Sequence, residues 1–129
     1  MLPAYHNWQL VVLNKRPNDY RPGDVIAFRC EGLNAVLVKR IAAGPGDTVQ
    51  ILNGTLYVNG EISRIFFEKG IFEYAGMLSD SLTLDDREYI MIGDNIAQSR
   101  DSRYAEVGIV EMDDIIGKLI GAKPAQTGP

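Results

Sequence analysis

The sequence is poor in the residues that build cross-links and metal sites. It holds one cysteine, Cys30, and one histidine, His6, in 129 residues. A lone cysteine excludes an intrachain disulfide and any multi-cysteine metal centre, and Cys30 with His6 supplies too few ligands for zinc. No metal and no cofactor is expected. Cys30 reads as a small buried apolar residue rather than a thiol paired with His6, and His6 as a surface residue. Long apolar runs are also missing. Nothing approaches the roughly 18 residues of a membrane-spanning helix, and there is no charged segment leading into an apolar one as in a secretion signal. The chain as given is expected to be soluble. Excess positive charge is absent too: 13 basic against 17 acidic residues give a net charge of −4. That charge is spread along the chain, which argues against nucleic acid as a partner.

Helical periodicity is scarce as well. Short apolar runs are broken by Gly, Pro, Asn and Asp, the pattern of an all-β domain, and residues 1–129 are expected to form one domain. With 46% hydrophobic residues the chain can build a core. Strands are predicted at Trp8–Asn14, Val25–Arg29 and Asn34–Ile41. Pro17–Asp24 reads as a loop and Gly44–Asp47 as a turn. Thr48–Leu52 and Thr55–Val58 flank Asn53-Gly54, a strong hairpin signal. A second turn at Asn59-Gly60 returns the chain through Glu61–Ile65. Residues 66–82 are apolar but irregular, compatible with an extended excursion or a short helix. Glu88–Ile92 is a further strand, Val107–Val110 and Asp114–Leu119 close the fold, and Lys123–Pro129 is a frayed tail.

The most informative stretch is Val38-Lys39-Arg40-Ile41-Ala42-Ala43-Gly44-Pro45-Gly46-Asp47. It sets a lysine at the end of an apolar run, just before a Pro-Gly turn. A lysine at a strand end is ordinarily solvated. Laid against an apolar wall, its charged form is disfavoured and its pKa falls, as a lysine general base requires. About fifty residues later comes Gly93-Asp94-Asn95-Ile96-Ala97-Gln98-Ser99-Arg100-Asp101-Ser102-Arg103.

Together these segments resemble the lysine box and the Gly-Asp-Asn box of type I signal peptidases, Ser-Lys proteases that remove export signals. Met1-Leu2-Pro3 is similar to the residues just after that family's nucleophile. Arg21-Pro22-Gly23-Asp24-Val25-Ile26-Ala27-Phe28 is similar to its Gly-Asp-hydrophobic-Phe strand. The resemblance covers most of the chain, in a consistent order. It implies antiparallel sheets in a partly open, barrel-like fold. It implies Lys39 as the base, and Ser99 accepting an N–H from the amine to orient it. Asp101 and Arg103 would form an ion pair beneath the site, with Arg40 joining that network. Asp94 and Asn95 would satisfy backbone groups of the turn.

An extended peptide of the Ala-x-Ala type would add to the strand edge at Asn34–Val38. Met1, Leu37 and Val38 would offer it shallow apolar pockets, and Tyr5 or Trp8 would line the same cleft or touch a membrane interface. The family's full-length members are anchored in the membrane, with the catalytic domain on the extracytoplasmic face. Ala43, Gly44 and Glu106 depart from the usual residues of the two boxes. The family nucleophile is the serine directly before the Met of Met-x-Pro, so it would precede Met1, and the chain as given is expected to be inactive. Two other readings share parts of this pattern. One is a non-catalytic peptide-binding or secretion-assembly relative of the same fold. The other is a self-cleaving repressor-type domain, which fits the order of the boxes less well.

Overall fold

The computed structural model describes residues 12–15 and 20–120. Among them ten strands form two antiparallel sheets, as the patterning predicts. The strands are β1 (Val12–Asn14), β2 (Val25–Cys30), β3 (Ala35–Ala43), β4 (Thr48–Leu52), β5 (Thr55–Val58), β6 (Glu61–Ile62), β7 (Leu82–Thr83), β8 (Glu88–Ile92), β9 (Val110–Glu111) and β10 (Ile115–Ile120). A six-stranded sheet runs β1-β10-β2-β3-β8-β9 and a four-stranded sheet β6-β5-β4-β7. Among the described residues the larger sheet is open at both ends, a partly open barrel. His6, Tyr5, Trp8, the start of the first predicted strand and the predicted tail lie outside the described residues.

Turn chemistry sets the path. At Pro22-Gly23 and Pro45-Gly46 proline precedes a glycine of positive φ (+98° and +83°), the arrangement of a type II turn. The first turn is tied to β3, because Gly23 N donates to Ile41 O at 2.8 Å. Asn53-Gly54 and Asn59-Gly60 have positive φ at both residues. These are the mirror-image turns whose twist matches that of paired strands. They deliver the β4–β5 hairpin with the predicted boundaries.

Glu61–Ile65 is only partly the predicted strand. β6 ends at Ile62, and the one-turn helix α1 (Arg64–Phe67) follows. The helical turn puts Phe66 into the core beside Leu56, Phe72 and Leu78, which continued extended pairing would not secure. Val107–Val110 is likewise mostly turn: Val107 and Gly108 both donate to Tyr104 O, and β9 starts at Val110.

Two apolar clusters hold the sheets. One joins Ala42, Ala43, Ile90 and Ile92 to the small sheet through Val49, Ile51, Leu56, Phe66 and Leu78. The other packs Ile26, Phe28, Ile41, Tyr89 and Met91 on the opposite side of the large sheet. β8 contributes alternate residues to both, and the end of β3 gives Ile41 to the second and Ala42 and Ala43 to the first. That explains the near-continuous apolar sequence of β8, since strands buried on two faces lose the usual alternation. Cys30 is buried, as expected, and its thiol donates to Glu106 O at 3.4 Å.

A buried lysine and its supporting loop

Lys39 lies near the middle of β3. The pairing sets it opposite Ile26, and Leu37 opposite Phe28. Side chains two apart share a face, so Leu37, Lys39 and Ile41 line the same side as Ile26, Phe28 and Met91. This is the apolar wall the sequence suggested. Lys39 is buried. Burial holds its pKa below the ordinary lysine value; the nearby Asp101 carboxylate partly opposes this and the Arg103 guanidinium adds to it. A lysine that sheds its proton readily while its amine is held by a partner can take a proton from a hydroxyl.

That partner is Ser99. Lys39 Nζ donates to Ser99 Oγ at 3.1 Å, across 60 residues of sequence. Ser99 sits on the loop leaving β8. The loop is fastened at both ends: Ser99 N donates to Asn95 O at 2.9 Å, and Ser102 N to Met91 O at 2.9 Å. The Ser102 hydroxyl accepts Met91 N at 2.9 Å. Sequence reading did not single out Ser102, although it lies inside the motif.

Beneath Ser99 lies the ion pair that the resemblance implied. Asp101 and Arg103 are 0% and 2% exposed. Arg103 Nε meets Asp101 Oδ1 at 2.8 Å and Nη2 meets Oδ2 at 2.9 Å, a two-pronged contact. Asp101 also accepts Gly93 N at 3.1 Å and Arg103 N at 3.2 Å. Arg103 donates to the carbonyls of Tyr74, Ile96 and Ser99 at 3.2, 2.9 and 3.3 Å. The guanidinium therefore holds the backbone of the very residue that orients Lys39.

Arg40 points to the other face of β3, as strand alternation demands. It pairs with Asp94 through two 2.8 Å bonds and donates to Gly23 O at 2.8 Å. Lys69 approaches the same carboxylate at 3.5 Å. Asp94, assigned from the sequence to backbone groups of the turn, thus carries an ion pair linking β3, the site loop and the segment after α1. Lys69 had no sequence signal, because it lies in the irregular stretch. Asn95 supports the turn, its carbonyl accepting Gln98 N and Ser99 N.

Of the substrate-contact candidates, Leu37 shares Lys39's face and Val38 takes the opposite one, while Met1 lies outside the described residues. β3 pairs with β2 from residue 35 to 40 but with β8 only from Arg40 onward. Among the described residues, the other edge of 35–39 is open, beside Lys39.

A glycine locks the loop from behind. Gly76 has φ +56°, and a Cβ there would stand 2.0 Å from the carbonyl oxygen of Arg103. Gly60 has φ +83° and nothing within 4 Å of a Cβ. Gly60→Ala is expected to cost about 1–2 kcal/mol from conformation alone. Gly76→Ala is expected to cost about 2–5 kcal/mol, since backbone must also move. Urea unfolding of the two variants side by side measures the difference.

Comparison with known proteins places this geometry. Residues 1–121 match the family model described as signal peptidase, peptidase S26. The chain is 33% identical over 128 residues to signal peptidase I T of Bacillus subtilis, covering 91% of this chain and 65% of that protein. It is 26% identical over 114 residues to a probable signal peptidase I-2 of Synechocystis, covering 82% and 49%. It thus spans about two thirds or less of these relatives' lengths. The crystal structure of a signal peptidase I from Enterococcus faecalis superposes with a TM-score of 0.58 at 26% identity, covering 79% of this chain and 97% of that one.

Proposed function

This chain belongs to the signal peptidase family, peptidase S26, and from that premise we propose that it forms the catalytic body of a Ser-Lys endopeptidase that removes Ala-x-Ala signal peptides from exported preproteins. The observation that carries the reading is the buried Lys39 amine, held by Ser99 at 3.1 Å. In this mechanism the neutral amine takes the proton of a serine hydroxyl as its oxygen attacks the scissile carbonyl. The protonated lysine then gives that proton to the leaving amine, and an acyl-enzyme remains. Water attacks the ester with Lys39 again as base, which releases the cleaved signal peptide and restores the serine.

Ser99 fixes one N–H direction of a side chain that otherwise has many rotamers. The Asp101–Arg103 pair fixes Ser99, and Arg40 with Asp94 fixes β3 from behind. The preprotein extends along the open edge of residues 35–39 as an added strand. Leu37 and Val38 border that edge, and the small side chains of the Ala-x-Ala motif suit shallow pockets there. In the family pattern the attacking hydroxyl comes from the serine directly before the Met of Met-x-Pro, a motif that Met1-Leu2-Pro3 matches here. The site lies on the extracytoplasmic side of a membrane that holds the preprotein. Among the described residues no helix is long and apolar enough to span one.

The test is a chain extended to carry that serine and the segment before it, offered an Ala-x-Ala signal-peptide substrate. Cleavage after the second alanine is expected, and none from the same chain carrying Lys39→Ala. A folded, serine-bearing protein that leaves the substrate intact would overturn the reading.

A further inference from the structure

The chain contains two Asn-Gly pairs, and both lie outside the Lys39 site. Asn53-Gly54 joins β4 to β5, and Asn59-Gly60 joins β5 to β6. Their backbones are nearly alike: φ is +53° and +82° in the first pair, +54° and +83° in the second. Both asparagines are exposed. Whatever separates their chemistry must therefore come from the side chains and their neighbours.

The side chain of Asn59 is held at both ends. Its Oδ1 accepts Thr48 N at 2.9 Å, and its Nδ2 donates to Asp47 Oδ1 at 2.9 Å. Its backbone N donates to Thr48 O at 2.7 Å. The amide is thereby pinned against the start of β4. Among the described residues, the Asn53 side chain makes no hydrogen bond, and neither Asn53 O nor Gly54 N takes part in one. Phe72 N donates to Gly54 O at 2.9 Å. That oxygen belongs to the following peptide group, so the group between Asn53 and Gly54 stays free to rotate. Glycine has no Cβ to obstruct the approach to its nitrogen. The fold also keeps glycine there, since a Cβ on Gly54 would stand 2.7 Å from Ile71 Cγ2.

We propose that Asn53 is a site of spontaneous deamidation in the folded chain, and that Asn59, in the same dipeptide, is protected from it. Gly54 N attacks Asn53 Cγ. The N–Cγ bond forms, the Cγ–Nδ2 bond breaks, and the proton lost by Gly54 N is balanced by one gained on Nδ2, which leaves as ammonia. The cyclic imide that remains then adds water. Opening its N–Cγ bond gives aspartate, and opening its bond from N to the main-chain carbon gives isoaspartate. Isoaspartate carries the chain through Cγ, so the tight β4–β5 turn gains a backbone carbon. Both products add a negative charge at neutral pH. For Asn59, the same attack by Gly60 N requires both side-chain bonds to break first.

The test holds the folded 129-residue chain at mildly alkaline pH and samples it over time. Brief chymotryptic digestion at Tyr57 separates the two sites, and mass spectrometry measures conversion of amide to acid at each. Asn53 is expected to convert at least about tenfold faster than Asn59, the factor that the two side-chain hydrogen bonds supply. In denaturing urea the two are expected to convert at similar rates. Asp47→Ala removes one restraint and is expected to speed Asn59 while Asn53 keeps its rate, which separates release of Asn59 from general unfolding. Equal rates at the two sites in the folded chain would overturn the proposal. So would a folded chain in which Asn53 stays intact while the urea-unfolded chain converts.

Discussion

Lys39→Met, in the serine-bearing chain, is expected to lower kcat/KM on an Ala-x-Ala substrate by about 10³-fold or more. The hydroxyl would then have no base within reach, and the leaving amine no acid. Lys39→Arg is expected to fail as well. A guanidinium stays protonated at any working pH and cannot accept the proton. In the serine-bearing parent, activity should rise with pH through the lowered pKa of Lys39, so the midpoint of the rising limb lies below the 10.5 of an ordinary lysine.

Stability gives an independent reading of the same burial. In the window between the folded pKa of Lys39 and 10.5 the unfolded chain binds more protons than the folded one. Stability therefore rises with pH across that window. Below the folded pKa the full cost of a buried ammonium remains. Lys39→Met removes that cost, so the inactive variant is expected to melt higher than its parent at neutral pH. The gap should narrow as the pH climbs toward 10.5. Thermal melts of both proteins at several pH values check the sign. A variant that melts lower than its parent at neutral pH would contradict the burial argument.

Asp101→Ala is expected to cost about 3–5 kcal/mol, because it strands the Arg103 guanidinium in the interior without its counter-charge. That is a large share of the roughly 5–15 kcal/mol that holds a typical domain together. Arg103→Met should cost a similar amount, by leaving the carboxylate with only two backbone N–H donors, Gly93 and its own neighbour at 103. The double replacement Asp101→Leu, Arg103→Met is expected to cost clearly less than the two single costs added, since it leaves no buried charge behind. Urea denaturation of the four proteins forms the cycle. Additive costs would mean that the pair does not act as a unit. Because Arg103 also binds the Ser99 carbonyl at 3.3 Å, Arg103→Met should reduce turnover even where the protein remains folded, by loosening the group that orients Lys39.

These effects arise at residues that differed in how visible they were beforehand. Lys39, Ser99, Asp101 and Arg103 stood out because their motifs are local strings, and a tight loop must solve its hydrogen bonding with nearby residues. The β4–β5 hairpin was visible for the same reason: Asn-Gly supplies positive φ at two successive positions, whatever surrounds it. Strand alternation, by contrast, decides where Arg40 and Val38 point, and the side they face depends on which neighbours β3 acquires. The Asp94–Lys69 contact spans two segments whose meeting no local string encodes. The single turn of helix at Arg64–Phe67 exists because Phe66 finds a core there, a tertiary gain that overrides local preference.

The sequence by itself determined the all-β class, the turns, the family and the identity of the lysine–serine pair, because each rests on short-range chemistry or on motif order. Tertiary structure alone decided that Lys39 is buried, that its amine lies within hydrogen-bond reach of Ser99, that β3 is open along 35–39 among the described residues, and that Phe67 and Ile71 stand in solvent while Phe66 and Phe72 do not. Those outcomes depend on strand register and on which surfaces meet, and they are set by contacts between residues far apart in the chain.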